Sequence, residues 1–222
     1  METHLKLYGY WRSSAAYRVR ICLNLKQLPY ENHSVHLVNN GGEQHLAHYH
    51  ALNPNELVPV LVDGDLVLNQ SLTIIQYLDD NYSSTQVIPS IGPLRYQALA
   101  LAQDIAVDVH PLNNLRVLQY LEGTLALDDE QKRDWVHHWI DTGFKAVEEK
   151  LLAHRKHYGE CVFSISSSPS IVDICLVPQV YNALRFGLDI ARYPTIRAIV
   201  SACNELPAFE RAKPENQPDA PR

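Results

Sequence analysis

The chain has 222 residues, 46% of them apolar and 20% charged, and a formal net charge of −6. That length suits two domains better than one, the apolar share supports a substantial core, and no Lys/Arg-rich stripe marks nucleic acid as a partner. The N-terminus lacks a signal-peptide pattern, no apolar run nears the ~18 residues of a membrane span, and Cys22, Cys161, Cys175 and Cys203 form no CxxC pair. The expectation is a cytoplasmic protein with free buried thiols, no metal site and no membrane contact.

Leu5-Lys6-Leu7-Tyr8 alternates as a strand does. A helix follows to about Gln27, capped by Ser13 or Ser14 and stopped by Pro29. Two adjacent hydroxyls therefore stand where a strand gives way to a helix. Unsatisfied backbone N–H groups and the positive end of the helix dipole face whatever sits there. Such a place suits an anion. A thiolate is an anion, and the same field lowers the pKa of its thiol.

Tyr30 to Leu37 reads as a second strand, Asn39 to Gly42 as a loop and Glu43 to Ala51 as a short helix. Asn53-Pro54 marks a turn. Val58 to Val62 and Leu66 to Leu68 form a hairpin on a tight Asp63-Gly64-Asp65 turn, with Pro59 at the start of its first strand. Ser71 opens a helix to Tyr82. The order is βαβ, then αββα, which gives a mixed four-stranded sheet with helices on its faces.

Ser83 to Pro93 reads as a linker, so the domains are residues 1–83 and 93–222. Helices are expected over 93–122, 129–154, 171–185, 194–203 and 207–211, the first bending near Pro111. Ser170 to Asp173 resembles a capping box, with Asp in place of Glu or Gln. The helix it opens is nearly all apolar and therefore buried, and Pro178 should kink it. The tail Lys213 to Pro218 reads as irregular.

These segments carry a resemblance. A thioredoxin-like N-terminal domain with Val58-Pro59 and then Gln70-Ser71, followed by an all-helical domain, resembles a cytosolic glutathione S-transferase. Ser13-Ser14-Ala15-Ala16-Tyr17-Arg18-Val19-Arg20-Ile21 is similar to the zeta-class signature, Ser-Ser-Cys-x-Trp-Arg-Val-Arg-Ile. Ala51 to Pro54, His110 to Leu118, His138 to Ile140, Leu176 to Val180, Arg185 to Gly187 and Tyr193 to Ile196 are similar to bacterial members of that class. Several motifs in order along nearly the whole chain make the resemblance specific.

It implies a glutathione-dependent isomerase that converts maleylacetoacetate to fumarylacetoacetate in tyrosine and phenylalanine catabolism, working as a homodimer. Isomerisation of maleylpyruvate in gentisate degradation, or transferase chemistry on α-haloacids, are the rival activities. A non-catalytic binding module is a third reading, against which Ser13, Gln70 and Ser71 argue. By the resemblance, Ser13 would hydrogen-bond the glutathione sulfur, with Ser14 in support. Gln70 and Ser71 would hold its γ-glutamyl end, the backbone of Val58 before a cis proline its cysteinyl part, and Gln44 its glycyl side. His110, Asn114 and Arg116 would contact glutathione from the second domain. Arg12 and Arg185 would anchor the carboxylates of a dicarboxylate substrate, the geometry for which Arg is preferred over Lys. Arg18 and Arg20 are expected in ion pairs or at a dimer face.

The chain departs from the pattern at Ala15, where the signature has Cys, at Tyr17, where it has Trp, and at Ser164 to Ser168, where a Gly-Asp is usual. The chemistry tolerates the first. A thiolate adds to the conjugated double bond of the substrate, an enolate forms, the chain rotates about the resulting single bond, and expulsion of the thiolate gives the trans isomer. Glutathione supplies that thiolate, so no protein cysteine is required. His45, His48 and His50, like His137, His138, His154 and His157, read as solvated helix faces rather than metal ligands.

Overall fold

The computed structural model describes residues 5–82 and 85–221. Ser83 and Ser84, where the sequence reading starts the linker, lie outside the described residues, as do the first four, on which the reading of no signal peptide partly rested. The chain forms two compact units: the segment to Val87 together with Glu205 onward, and Ile88–Asn204.

The first unit runs β1 (Leu5–Gly9), α1 (Ser14–Leu25), β2 (Tyr30–Ser34), α2 (Ala47–Leu52), β3 (Val60–Asp63), β4 (Leu66–Asn69) and α3 (Ser71–Asn81). The strand order is β2-β1-β3-β4; β1 is parallel to β2 and antiparallel to β3, which is antiparallel to β4. The parallel pair needs a crossover, which α1 supplies. The antiparallel pair β3–β4 needs only its tight turn, and Gly64 takes the left-handed φ of 58° there. This is the expected thioredoxin-like sheet.

Leu5 and Leu7 of β1, Val19 and Leu23 of α1, and Ile74, Ile75 and Leu78 of α3 are wholly buried. The strand and helix approach closely at Gly9, where a Cβ would sit 3.3 Å from that of Ala16. The Lys26 ammonium, at the end of α1, is buried 3.0 Å from Asp79 of α3. It also donates to the Thr85 carbonyl, while Asp79 accepts from the Val87 N–H at 2.9 Å. One buried ion pair thus fixes the chain where it leaves this unit.

Two expected elements are shorter. β2 stops at Ser34 because β1, its partner, ends at Gly9; beyond it the backbone of His36 is bonded to Glu43 instead. The helix expected over Glu43 to Ala51 breaks at Leu46, whose ψ of 142° is extended, into a 3-10 turn and α2.

The last helix, α9 (Pro207–Ala212), and the tail belong to the first unit, whereas the sequence reading put them with the helical domain. The reason is local. Phe209 and Ala212 are buried, and side chains of α1 satisfy the α9 carbonyls: Asn24 donates to Ala208 at 3.0 Å and Arg20 to Ala212 at 3.1 Å.

The second unit holds α4 (Pro93–Gln103), α5 (Leu115–Gly123), α6 (Asp129–Tyr158), α7 (Ile171–Arg185) and α8 (Pro194–Asn204). The single helix expected over 93–122 is interrupted. A π segment at Asp104–Val109 and a 3-10 turn at His110–Asn113 intervene, and Asn114 is extended. Pro111 lacks the N–H that a continuing helix needs, so the bend falls where its position suggests. α6 outruns the expected end at 154 and stops at Gly159, with φ of 95°; its start carries a capping box of Asp128 and Gln131. α7 continues through Pro178 and is buried along most of its length. The buried Glu148 of α6 accepts the N–H groups of Thr195 and Ile196 at 2.8 and 2.9 Å, capping α8 from another helix. Among the described residues, no helix is long and apolar enough to cross a membrane.

Gly143 lies in mid-α6, where alanine is ordinarily better by about 1 kcal/mol. Here a Cβ would fall 2.1 Å from Val109 Cγ2, and a β-branched side chain in a packed core yields little. Gly143→Ala is therefore expected to destabilise the protein by about 1–3 kcal/mol, read as a lowered urea midpoint. An unchanged or raised midpoint would show that Val109 repacks freely.

Candidate functional site

Strand register gathers the N-terminal candidates. Gly9 pairs with Ser34, Tyr8 lies opposite Val60, and Val60 lies opposite Asn69. The exits of β1, β2 and β4 and the entry to β3 therefore share one end of the sheet. These segments carry Arg12 to Ser14, Gln44, Gln70 with Ser71, and Val58. The carboxyl ends of parallel strands are where open α/β sheets bind ligands.

Ser13 is the N-cap of α1, and its Oγ accepts from the Ala16 N–H at 3.2 Å. Ser14 is the first helical residue and is buried. Capping uses only the acceptor capacity of the Ser13 hydroxyl, so its O–H remains a donor. Structural cap and anion ligand are thus compatible roles for one side chain. The Arg12 guanidinium lies 5.3 Å from the Trp11 ring centroid. Ala15 places a half-buried methyl where the signature has Cys, and Tyr17 fills the core in place of Trp.

The Val58–Pro59 bond is cis, as the order of elements implied. The Leu57 carbonyl before it accepts from Tyr49 Oη at 2.7 Å and Asn53 Nδ2 at 2.8 Å, which fixes the approach to Val58. Gln70 has φ of 67°, a left-handed value held at the start of α3. Backbone strain of this kind costs about 1–3 kcal/mol and concentrates at functional sites. Ser71 follows it, and its Oγ accepts from Arg18 at 3.2 Å. Arg18 is only 2% exposed and holds Ser71 from the interior of the unit. A hydroxyl that accepts from a guanidinium is left to donate elsewhere, and a carboxylate is the natural acceptor.

Gln44 is only 6% exposed. Its Nε2 lies 3.0 Å from His45 Nε2, and its Oε1 has no hydrogen-bond partner among the described residues. Gly42 beside it takes φ of 101°, a left-handed value that favours glycine. His45 and His50 are exposed, as the sequence suggested, and both meet one carboxylate. Their Nδ1 atoms lie 2.5 and 2.8 Å from the Glu56 carboxylate, and these hydrogen bonds hold its pKa below the usual value.

The second unit presents its candidates separately. Asn114 is the N-cap of α5, accepting from the Arg116 N–H at 3.1 Å. Arg116 is exposed in the first turn, where a cation opposes the dipole, so helix stability does not explain it. His110 begins the 3-10 turn before it. Arg185 ends α7, donates to Asn182 Oδ1 at 2.9 Å and stacks 4.4 Å from the Phe186 ring centroid. It lines a cavity of about 740 Å³ with Leu115, Leu118, Arg133, His137 and Phe186. Asn182 donates to Asn113 Oδ1 at 2.7 Å, and Asn113 donates to the Val109 carbonyl at 2.8 Å. This buried amide pair, which sequence reasoning missed, ties the Arg185 end of α7 to the turn that carries His110 and Asn114. His137 and His154, read as solvated, are instead hydrogen-bonded to the Phe186 and Ile165 carbonyls at 2.7 and 3.1 Å.

Neither Cys22 nor Cys203 is poised as a nucleophile. Burial pushes Cys22 up to about 12, and burial next to Asp173 pushes Cys203 up as well. Cys161, half-buried, is also raised by desolvation.

Comparison with known proteins accords with this geometry. Residues 7–86 match the family model for the N-terminal domain of glutathione S-transferases. A probable maleylacetoacetate isomerase of Vibrio cholerae is 60% identical over 97% of this chain and 98% of its own. The holo structure of a maleylpyruvate isomerase, a bacterial zeta-class glutathione S-transferase, superposes with a TM-score of 0.92 at 42% identity, covering 97% of this chain and 100% of that one. A maleylacetoacetate isomerase of Methylobacterium extorquens, solved with malonate and glutathione bound, does so with 0.91 at 38% identity, covering 98% and 100%.

Proposed function

The chain belongs to the zeta class of the glutathione S-transferases, and on that premise we propose that it isomerises maleylacetoacetate to fumarylacetoacetate with glutathione as cofactor. The observation that carries the reading is the convergence of Ser13, Val58, Gln70 and Ser71 at one end of the sheet. The residues fit glutathione: a hydroxyl donor at a helix N-terminus for the sulfur, a hydroxyl committed to donation for a carboxylate, and the unpartnered Gln44 Oε1 for an N–H. Bound glutathione supplies the thiolate that adds reversibly to the conjugated double bond and so frees it to rotate.

Each residue then has a stated task. Ser13 donates its O–H to the sulfur and favours the thiolate, with the α1 N-terminus and the buried Ser14 behind it. Ser71, backed by the buried charge of Arg18, donates to the γ-glutamyl carboxylate, and the strained Gln70 directs its amide to the same end. Gln44 receives the glycyl side and the Val58 backbone the cysteinyl part. His110, Asn114 and Arg116 are polar contacts for glutathione from the helical unit. Arg12 and Arg185 bind the two carboxylates of the substrate; the malonate bound in the Methylobacterium relative supports a dicarboxylate ligand. A homodimer in the cytoplasm completes the proposal.

The test is to follow loss of the cis acid by absorbance, with and without glutathione, offering maleylacetoacetate and maleylpyruvate in parallel. Glutathione-dependent turnover with maleylacetoacetate preferred supports the reading. Preference for maleylpyruvate would move the substrate to the activity of the 42%-identical neighbour, and no turnover of either would sink it. A second expectation follows from the raised thiols. Protein treated with iodoacetamide at neutral pH and freed of reagent keeps its glutathione-dependent activity, because protonated, buried thiols react slowly. Loss of activity in step with native-state alkylation would make a protein cysteine the nucleophile.

A further inference from the structure

The turn that carries Ser13 is pinned by the far end of the chain. The Trp11 N–H donates to Asp219 Oδ2 at 2.9 Å, and the Ser34 hydroxyl donates to the same oxygen at 3.0 Å. Arg20 donates to the Trp11 carbonyl at 2.9 Å and the Tyr10 carbonyl at 3.4 Å, and through Nε to the Ala212 carbonyl at the end of α9. The Tyr10 carbonyl also accepts the Ser13 N–H at 3.0 Å. The backbone from Tyr10 to Ser13 is therefore held by its own turn, by Arg20 and by Asp219. Two of these three holds run through the C-terminal segment.

Stability alone does not require this arrangement. Glycine-free and between two regular elements, the turn could expose its Trp11 N–H to water at little cost. Instead, a carboxylate 208 residues away in sequence is brought to it. Such a charge-assisted bond is about twice as strong as a neutral one. The group whose direction depends most on that turn is the Ser13 hydroxyl.

We infer that Asp219 is a positioning residue: the C-terminal segment is a strap that holds the Trp11 peptide, and through it aims Ser13 at the ligand sulfur. The consequence for catalysis rests on the function proposed above, whereas the strap itself does not.

Hydrogen exchange and pH-dependent kinetics separate the two. Amide hydrogen exchange of the ligand-free protein is compared for wild type, Asp219→Ala and Asp219→Asn, which keeps an acceptor oxygen. In Asp219→Ala the Trp11 amide is expected to exchange at least about 10-fold faster, with Asp219→Asn close to wild type. Then kcat at saturating glutathione is measured against pH. Misplacing a reacting group by ~1 Å costs up to about 10²-fold, so a loosened turn should lower kcat at neutral pH by about 5- to 20-fold, shift the rising limb to higher pH, leave KM for the acid nearly unchanged, and be rescued by Asp219→Asn. Unchanged exchange at Trp11 in Asp219→Ala overturns the strap. Faster exchange with an unmoved pH profile, whatever the change in melting temperature, overturns the positioning role. A wild type that shows slow Trp11 exchange but binds no glutathione supports the strap and removes the functional proposal instead.

Discussion

Replacing Ser13 with alanine lowers kcat for the glutathione-dependent isomerisation by about 10²-fold, the effect of removing one donor aimed at developing or resident negative charge. The sign of the accompanying pH effect follows from the same hydrogen bond. A donor to sulfur stabilises the thiolate over the thiol, so it lowers the pKa of the bound thiol, and activity rises as pH passes that value. Without the donor the pKa rises, and the rising limb of kcat against pH moves to higher pH while the alkaline plateau partly recovers. Ser13 is also the N-cap of α1, so Ser13→Ala loses about 1 kcal/mol of stability. Ser13→Asp separates the two roles. Aspartate caps as well as serine, but it has no proton to give and sets a negative charge beside the sulfur. Its melting temperature should return toward wild type and its activity should not. Recovery of activity in Ser13→Asp, or a pH profile unmoved in Ser13→Ala, would reduce Ser13 to a helix cap.

Ser13 was readable from the chain because its reasons are local: a strand, two hydroxyls and a helix within about ten residues of sequence. The hairpin at Asp63-Gly64-Asp65 and the break near Pro111 were legible for the same reason, whereas the cis bond before Pro59 came from the thioredoxin-like order of elements and the family resemblance, because an X–Pro bond by itself is usually trans. What sequence could not show was which distant groups meet. Arg18 and Arg20 belong to a recognised motif, yet two of the groups they hold, Ser71 and the Ala212 carbonyl of α9, lie 53 and 192 residues away. Nothing in the local pattern of Pro207 to Ala212 said that it would pack on α1 instead of extending the helical unit. Asn113 lies in a family-like stretch and Asn182 in none, and nothing in either pattern says that the two meet; the buried amide pair emerges only when the segments are placed together. His137 and His154 were misjudged because the carbonyls they bond, those of Phe186 and Ile165, lie 49 and 11 residues away. The arrangement at the sheet end is intermediate. Its four segments were each identified, but their convergence is a property of the register.

The loop that departs from the family pattern at Ser164 caps the start of α7. The carboxylate of Asp173, in the first turn of the buried α7, accepts four hydrogen bonds of 2.7 to 2.8 Å: from the N–H and Oγ of Ser164 on one oxygen, and from the N–H and Oγ of Ser170 on the other. Burial pushes this carboxyl above its ordinary pKa, and the four donors oppose that shift. Ser164 thus supplies two of the donors from the loop that departs from the family pattern, and the cap is complete without the usual Gly-Asp. Asp173→Ala leaves two buried backbone N–H groups unpaired at about 1–3 kcal/mol each, while the hydroxyls can turn elsewhere. The expected loss is about 3–5 kcal/mol, a large share of the 5–15 kcal/mol that holds a typical protein folded. Asp173→Asn should be nearly as damaging, because its NH₂ would face a donor pair on one side; near-normal stability of that variant would show that the carboxyl is protonated in the fold. Ser164→Ala removes one hydroxyl donor only and should cost about 1 kcal/mol. All three are read from urea midpoints. Arg185 stands at the other end of the same helix, about 18 Å away along its axis, so the surviving folded fraction of Asp173→Ala should keep a near-normal KM for the substrate acid. A raised KM without lost stability would mean that the cap acts on the site and not on the fold.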